Sequence, residues 1–236
     1  GGYAEYQCLP AENDHAVETQ LGDAALSTLG CAYLTGEHML ERAQVQPGER
    51  VLVTGASGGV GSGIVQLCRA RGAIPYAVTR ADKADALLAI GAEGVVDRAS
   101  GDWVAAVDEV TQGQPIDVVA DLVAGPHFND LLRILRPEGR YTTAGAIAGP
   151  VVDLDLRTMY LKQLQLHGSS QGRRSDFQRL LGHVLAGRVK PLLHATYRLS
   201  EFHQAQGDFM NKDYVGKLVV VPDRHWDRVG ACHGRG

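Results

Sequence analysis

The sequence predicts an α/β fold built on a doubly wound, six-stranded parallel sheet of the Rossmann type. Apolar runs of strand length alternate with amphipathic helical patterns from residue 51 to about residue 170, and the first run leads directly into a glycine-rich turn. Such alternation is typical of βαβ units wound into a parallel sheet. The expected strands are residues 51–56, 74–79, 94–97, 116–123, 139–146 and 164–170.

Amphipathic stretches between these runs predict the crossover helices, because their apolar residues recur at three- and four-residue spacing. In the helix that precedes the fifth strand, Leu131, Leu132 and Leu135 form the expected buried stripe. Pro137 followed by Gly139 is expected to end that helix.

Flanking segments surround this core. Residues 1–12 are interpreted as a strand, and one or two helices follow before the Pro47-Gly48 turn. A helix capped by Ser175 is expected next, and then a strand, a helix and a strand. The predicted divisions are a lead-in belonging to a catalytic domain (1–30), a dinucleotide-binding domain (31–175, core 51–170), segments returning to the catalytic domain (176–222) and a loose tail (223–236).

Composition restricts the classes of function. The chain has 236 residues, 44% of them hydrophobic and 21% charged, with a net charge of −4. That balance fits a globular protein without the basic footprint of a nucleic-acid partner. No apolar run reaches the roughly 20 residues that span a bilayer. The four cysteines are scattered, which favours free thiols and a cytoplasmic location.

The glycine-rich turn VTGASGGVGSG has the properties that a dinucleotide pyrophosphate requires. A predicted strand precedes it and a helix follows, so free N–H groups at a helix N-terminus would meet the anion. Gly55 is expected to make the tight turn, Ser57, Gly58, Gly59 and Val60 to present their amides, and Gly61 to let the helix approach the strand. The alternative is a turn with a structural role alone.

The end of the second strand favours NADP(H) over NAD(H). An acidic residue there binds ribose hydroxyls, whereas a basic residue accommodates a 2′-phosphate. This sequence places Thr79 and Arg80 at the strand end and Lys83 shortly afterwards, so both cations are candidate phosphate ligands. Alternatively, Arg80 and Lys83 solvate a helix start and Asp82 turns inward to the ribose.

Together, the segments GGYAEYQCLPAEN, LGCAYLTGEHMLERA, PGERVLVTGASGGVGSGIVQL, IGAEGVVD, LRPEGRYTTAGA and YVGKLVVVP carry a resemblance. The chain resembles the medium-chain dehydrogenase/reductases, the group of zinc alcohol dehydrogenases and quinone oxidoreductases. The resemblance implies that a GroES-like barrel, which carries most of the catalytic machinery in that group, is largely missing from this sequence.

Cys31 falls where zinc-type members carry their third catalytic zinc ligand. Zinc needs three protein ligands, so one cysteine cannot hold a catalytic metal, although zinc is possible in a full-length parent. The alternative for Cys31 is a small buried hydrophobe. His38 is expected to be a surface or capping residue.

The resemblance also implies roles for residues around the cofactor. Thr35 would lie near the nicotinamide as a catalytic-site residue, and Lys217 would contact the pyrophosphate. Further cofactor-binding residues would be Leu122, Val123, Gly145, Ala146 and Ser169. His225, Cys232 and His233 in the tail match no standard metal site.

These features lead to three hypotheses. The first is an NADP(H)-dependent oxidoreductase of zinc type that transfers a hydride between nicotinamide and an alcohol or carbonyl. The second is a quinone or enoyl reductase without zinc, and the third is a cofactor-binding module without turnover. A homodimer paired through residues 164–170 is also expected.

Overall fold

The fold is seen in a computed structural model that describes residues 2–229. Six parallel strands form its main sheet, in the order β3-β2-β1-β4-β5-β6. The strands are β1 (Arg50–Val53), β2 (Ile74–Thr79), β3 (Gly94–Asp97), β4 (Ile116–Asp121), β5 (Leu135–Thr143) and β6 (Gln165–Gly168). The predicted doubly wound Rossmann sheet is therefore confirmed.

Helices cover both faces of this sheet. They are α1 (Asp23–Ser27), α2 (Leu34–Arg42), α3 (Gly59–Ala70), α4 (Ala84–Ala89), α5 (Trp103–Thr111), α6 (Phe128–Ile134), α7 (Leu156–Leu161) and α8 (Arg174–Leu185). A π-helical turn, Leu29–Tyr33, joins α1 to α2. Alternate residues of the buried strands face opposite layers: Val51 and Val53 pack with α2 and α3, whereas Leu52 packs with α5 and α6.

The last part of the chain forms a small separate sheet. Strands β7 (Leu193–Arg198) and β8 (Lys217–Val221) pair in parallel, with helix α9 (Phe202–Asn211) between them. This is the predicted strand, helix and strand. Part of the expected loose tail is helical instead, as a 3₁₀ turn at Asp223–His225 and a short helix α10 (Trp226–Val229).

Two local predictions, for the N-terminal segment and for the end of α6, are wrong. No strand forms among residues 2–12, where Ala11–Asn13 makes a 3₁₀ turn, because no neighbouring strand pairs with this segment. Helix α6 ends at Ile134, so Leu135, expected in the helix, lies in β5, which begins there rather than at the expected residue 139. Proline disfavours helical backbone at the residue before it, here Arg136, so the helix has to end before that position.

Helix α8 differs from the prediction at its first turn. It begins at Arg174, one residue before the expected cap Ser175. The carboxylate of Asp176 accepts the backbone N–H of Arg173 at 2.7 Å. An acidic side chain therefore satisfies the start of the helix in place of the serine hydroxyl.

Candidate functional site

The glycine-rich turn connects β1 to α3. Gly55 has a φ of +59°, and the Gly58 amide donates to its carbonyl oxygen at 3.0 Å. A Cβ on Gly61 would lie 2.4 Å from that carbonyl oxygen and 2.6 Å from the Cα of Ala56. Gly61 thus permits the close contact between helix and turn that the sequence predicted.

The start of α3 can hold an anion. The first amides of a helix have no carbonyl within the helix to bind, and they carry the positive end of its dipole. In α3 these are the amides of Gly59, Val60 and Gly61, which follow directly on the turn. The side chain of Lys217 packs against Gly59 at the start of α3: a Cβ added to Gly59 would lie 2.2 Å from the Lys217 Cδ. This geometry suits a pyrophosphate.

The sheet order places the turn at a topological switch point. The chain runs from β1 outward to β2 and β3, and then returns to β4 on the other side of β1. In open α/β sheets, ligands bind in the crevice at the carboxyl ends of the strands where the order reverses. The loops that follow β1 and β4 therefore border the candidate site.

Asp121 organises the loop after β4. Its buried carboxylate accepts the Thr54 hydroxyl at 2.5 Å, the Tyr141 hydroxyl at 2.5 Å and the Val123 amide at 2.9 Å. The Ala124 amide donates to both carboxylate oxygens, at 3.2 and 3.1 Å. Burial, together with the negative charge of Asp121, raises the pKa of Tyr141. Sequence reasoning missed Asp121, although a carboxylate closing the apolar run IDVVAD was a usable signal.

A cleft of about 370 Å³ opens at this edge of the sheet. The predicted cofactor residues that line it are Gly55, Ser57, Thr79, Arg80, Lys83 and Val123. Residues that the prediction did not include also line it, among them Arg98, Ala99, Trp103, Ala124, Pro126, His127, Ala148 and Lys212. The rings of Trp103 and His127 stack in parallel, with centroids 4.2 Å apart.

The two predicted phosphate ligands already have partners. Arg80 Nη2 lies 2.6 Å from Asp82 Oδ2 and 3.1 Å from Asp213 Oδ1, and Asp82 foremost raises the pKa of Arg80. Lys83 Nζ donates to the carbonyl oxygens of Lys212 and Tyr214, at 2.5 and 2.8 Å. Burial lowers the pKa of Lys83. Asp82 contacts Arg80 by two hydrogen bonds in this structure.

The residues predicted near the nicotinamide follow the other strands. Leu122 lies beside Gly145, where an added Cβ would be 2.8 Å from the Leu122 carbonyl oxygen. Ala146 continues the same loop, and the hydroxyl of Ser169, just after β6, lies 3.2 Å from that of Thr142. All four lie outside the lining of the 370 Å³ cleft but at or beyond the carboxyl ends of β4, β5 and β6.

Cys31 and Thr35 lie on consecutive turns where the π-helix meets α2. Cys31 is exposed, so it is not the small buried hydrophobe of the alternative prediction. The Thr35 hydroxyl donates to the Cys31 carbonyl oxygen at 2.7 Å. π-Helical turns are frequent at functional sites.

The structure corrects the interpretation of His38. It is 6% exposed rather than a surface or capping residue, and its Nδ1 lies 2.7 Å from Asp176 Oδ2. Hydrogen bonds from the Arg173 amide and His38 lower the pKa of Asp176 against the opposing effect of its burial.

Metal ligands do not cluster within residues 2–229, where no three His, Cys, Asp or Glu side chains are grouped to hold an ion. Cys31 is thus one donor that would require others. His225 lies in the 3₁₀ turn after β8, whereas Cys232 and His233 lie outside the described residues. Over the same described range, no helix is long and apolar enough to cross a membrane.

The chain is similar in sequence or in structure to several known proteins. A solved structure from Sinorhizobium meliloti 1021, provisionally named an alcohol dehydrogenase, is 67% identical, with a TM-score of 0.92 over 94% of this chain and 62% of its own. A curated NAD-dependent alcohol dehydrogenase of Sulfurisphaera tokodaii is 29% identical over 94% of this chain and 65% of its own length. An acryloyl-coenzyme A reductase of Metallosphaera sedula is 29% identical over 87% of this chain and 60% of its own.

The chain therefore spans 60–65% of the length of these relatives. Residues 59–186, more than half of the chain, match the family described as zinc-binding dehydrogenases. This match includes α3 and continues through β6 into α8. The chain belongs to the zinc-binding dehydrogenase family, within the medium-chain dehydrogenase/reductase superfamily.

Proposed function

We propose that this chain is the cofactor-binding part of an NADP(H)-dependent oxidoreductase that transfers a hydride between nicotinamide and an alcohol or carbonyl substrate. The observation that carries the proposal is the glycine turn at the start of α3, which opens into the 370 Å³ cleft at the β1/β4 switch point. The bound nicotinamide supplies the hydride chemistry, while the protein binds and orients the reactants.

Each part of the site has a role in this proposal. The amides of residues 59–61 and the ammonium of Lys217 bind the pyrophosphate, and the side chains of Arg80 and Lys83 attract the 2′-phosphate. The nicotinamide half lies over the ends of β4, β5 and β6. The residues that would border it are Thr35, Leu122, Val123, Gly145, Ala146 and Ser169.

An alcohol dehydrogenase of zinc type requires ligands beyond Cys31, because catalytic zinc takes three protein ligands. The exposed position of Cys31 favours this candidate. The acryloyl-coenzyme A reductase relative favours a second one, an enoyl or quinone reductase that works without zinc. The two candidates are separated by assaying this chain, with both cofactors, on a panel of alcohols, aldehydes, enones and quinones.

Cofactor binding itself is tested by titrating the full 236-residue chain with NADPH and with NADH and following nicotinamide fluorescence. Tighter binding of NADPH is expected. Tighter NADH binding would overturn the NADP(H) assignment, and binding of neither would overturn the proposed function. Tight binding without turnover of any substrate would leave this chain a cofactor-binding module.

A homodimer through β6 belongs to the same proposal. β6 is an edge strand of the main sheet, and apolar side chains stand exposed near it in residues 147–161. Val151 is 90% exposed and Leu161 67% exposed. Pairing two copies of β6 would cover such a face and satisfy the strand edge. Light scattering at micromolar concentration should give twice the chain mass, and a monomer mass would contradict this.

A further inference from the structure

Residues 212–216 connect α9 to β8 and run beside the cofactor cleft, which Lys212 lines; they are called the strap below. Lys83 Nζ donates to the strap carbonyls of Lys212 and Tyr214, and the Gly216 amide donates to the Ser57 carbonyl oxygen at 3.1 Å. These three hydrogen bonds join the strap backbone to Lys83, which follows β2, and to the glycine-rich turn. The position of the strap therefore does not depend on the side chain of Asp213.

Asp213 extends from the strap to the residue expected to recognise a 2′-phosphate. Its Oδ1 accepts from Arg80 Nη2 at 3.1 Å, across 133 positions of sequence. Asp82 holds the same guanidinium in a bidentate manner, through Nε at 3.0 Å and Nη2 at 2.6 Å. Because Asp82 already fixes the orientation of Arg80, Asp213 adds mainly negative charge.

The negative charge of Asp213 lies beside a cleft whose charged lining side chains are basic. Four basic side chains line it: Arg80, Lys83, Arg98 and Lys212. A phosphate dianion bound at Arg80 would lie within ion-pair range of the Asp213 carboxylate and would be repelled by it. NAD(H) carries hydroxyls at the 2′ and 3′ positions of that ribose and no 2′-phosphate, so it escapes this repulsion.

We infer that Asp213 is a specificity-determining residue, whose carboxylate weakens binding of the 2′-phosphorylated cofactor relative to NAD(H). This inference rests on the proposed function, namely that the cleft binds a nicotinamide dinucleotide. It assigns a share in cofactor selection to the strap, which lies outside the six-stranded sheet. The strength of NADP(H) preference then depends on one exposed acidic side chain opposite Arg80.

The test is Asp213→Asn in the full 236-residue chain, because the amide keeps the shape of the side chain and removes its charge. NADPH and NADH are titrated by nicotinamide fluorescence. Adenosine 2′,5′-bisphosphate and 5′-AMP are titrated by calorimetry as half-molecule probes. NADPH and the bisphosphate should bind about threefold to tenfold more tightly, with the gain decreasing as salt is added. The affinities for NADH and 5′-AMP should change less than twofold.

The matched control is Glu109→Gln on α5, which removes the same charge from an exposed position outside the cleft lining. It should leave all four affinities unchanged. Asp213 has a side chain that is 73% exposed, so the substitution should not affect folding, and an unchanged thermal midpoint verifies this.

Two results would overturn the inference while the proposed function stands. In both, the wild-type chain binds dinucleotide, and Asp213→Asn either leaves the NADPH/NADH ratio unchanged or shifts it toward NADH. The second result would make Asp213 a positioning residue for Arg80. If the wild-type chain binds neither dinucleotide, the proposed function fails, and the inference fails with it.

Discussion

At the scale of single residues, Gly61 is the glycine of the candidate site at which an added Cβ would come closest to backbone atoms. The spacing of the glycines already predicted that this position lets α3 approach the turn. The structure adds the reason, since an added Cβ would lie 2.4 Å from the Gly55 carbonyl oxygen. That neighbour is backbone, which cannot rotate away as the end of a side chain can.

Gly61→Ala should therefore displace the start of α3 from the turn. We expect dinucleotide affinity to fall at least about tenfold, and the free energy of unfolding to fall by about 1–3 kcal/mol, as for other overpacked positions. Fluorescence titration and urea unfolding measure the two effects.

Gly182→Ala is the matched control, because Gly182 lies inside α8 and an added Cβ would meet no atom within 4 Å beyond the backbone of its own helix. It should raise stability by about 0.5–1 kcal/mol through helix propensity and leave affinity unchanged. Equal losses of affinity in both variants would contradict the role assigned to Gly61.

Other residues of the site lay beyond sequence reasoning. Arg98, Lys212 and His127 come from separate turns, and each is a common surface residue in its own segment. Only the fold brings them to one cleft. Cys31 and Thr35 were placed by resemblance, and their catalytic roles remain predictions.

At the scale of elements, a buried ionic cluster joins helices α2, α3 and α8. Glu37 of α2 is fully buried, and its Oε1 lies 2.5 Å from Arg71 Nη2 and 3.3 Å from Arg179 Nε. Arg179 also pairs with Asp176, the partner of His38. The cluster thereby fixes α2, which carries Thr35, against its two neighbours.

Glu37→Gln should lower the free energy of unfolding by about 3 kcal/mol. Removing one partner of a buried pair leaves the other charge without compensation, and the side chain of Arg71 is only 14% exposed. Urea unfolding measures the loss. Glu41→Gln, at a carboxylate that is 47% exposed and contacts the same two arginines, should cost less than about 1 kcal/mol. Similar losses in the two variants would contradict the importance of burial.

The helices and strands could be predicted from the sequence where the local residues alone determine the secondary structure. Residues 74–79 and 94–97 form the expected strands with the expected bounds, because short apolar runs rich in β-branched residues suit a buried parallel sheet. The N-terminal segment alternates in a similar way but has no partner strand. Pairing is a property of the whole fold, and local sequence does not reveal it.

At the scale of the whole molecule, stability should fall as the pH rises above about 9. Burial raises the pKa of the Cys68 thiol to about 12. It also raises the pKa of Tyr33 and, together with the charge of Asp121, that of Tyr141. The folded protein keeps these protons at a pH where the unfolded chain releases them, near pH 8.5 for cysteine and pH 10 for tyrosine.

Each group therefore lowers the free energy of unfolding by about 1.4 kcal/mol per pH unit between its unfolded and folded pKa values. The decline should begin near pH 9 with Cys68 and become steeper above about pH 10, when Tyr33 and Tyr141 join it, together with Tyr197 and Tyr214, whose pKa values are also raised by burial. Urea unfolding at intervals from pH 7 to about pH 11.5 measures the slope.

The contribution of Tyr141 can be isolated because its hydroxyl belongs to the Asp121 network rather than to the cofactor cleft. Tyr141→Phe removes one donor to Asp121 and should cost about 1 kcal/mol at neutral pH. Above about pH 10 the variant should lose stability more slowly than the wild type, so the two curves converge. Tyr160→Phe, at a side chain that is 64% exposed, should leave the slope unchanged. Parallel curves for Tyr141→Phe and the wild type would show that this hydroxyl releases its proton as readily in the folded protein as in the unfolded chain.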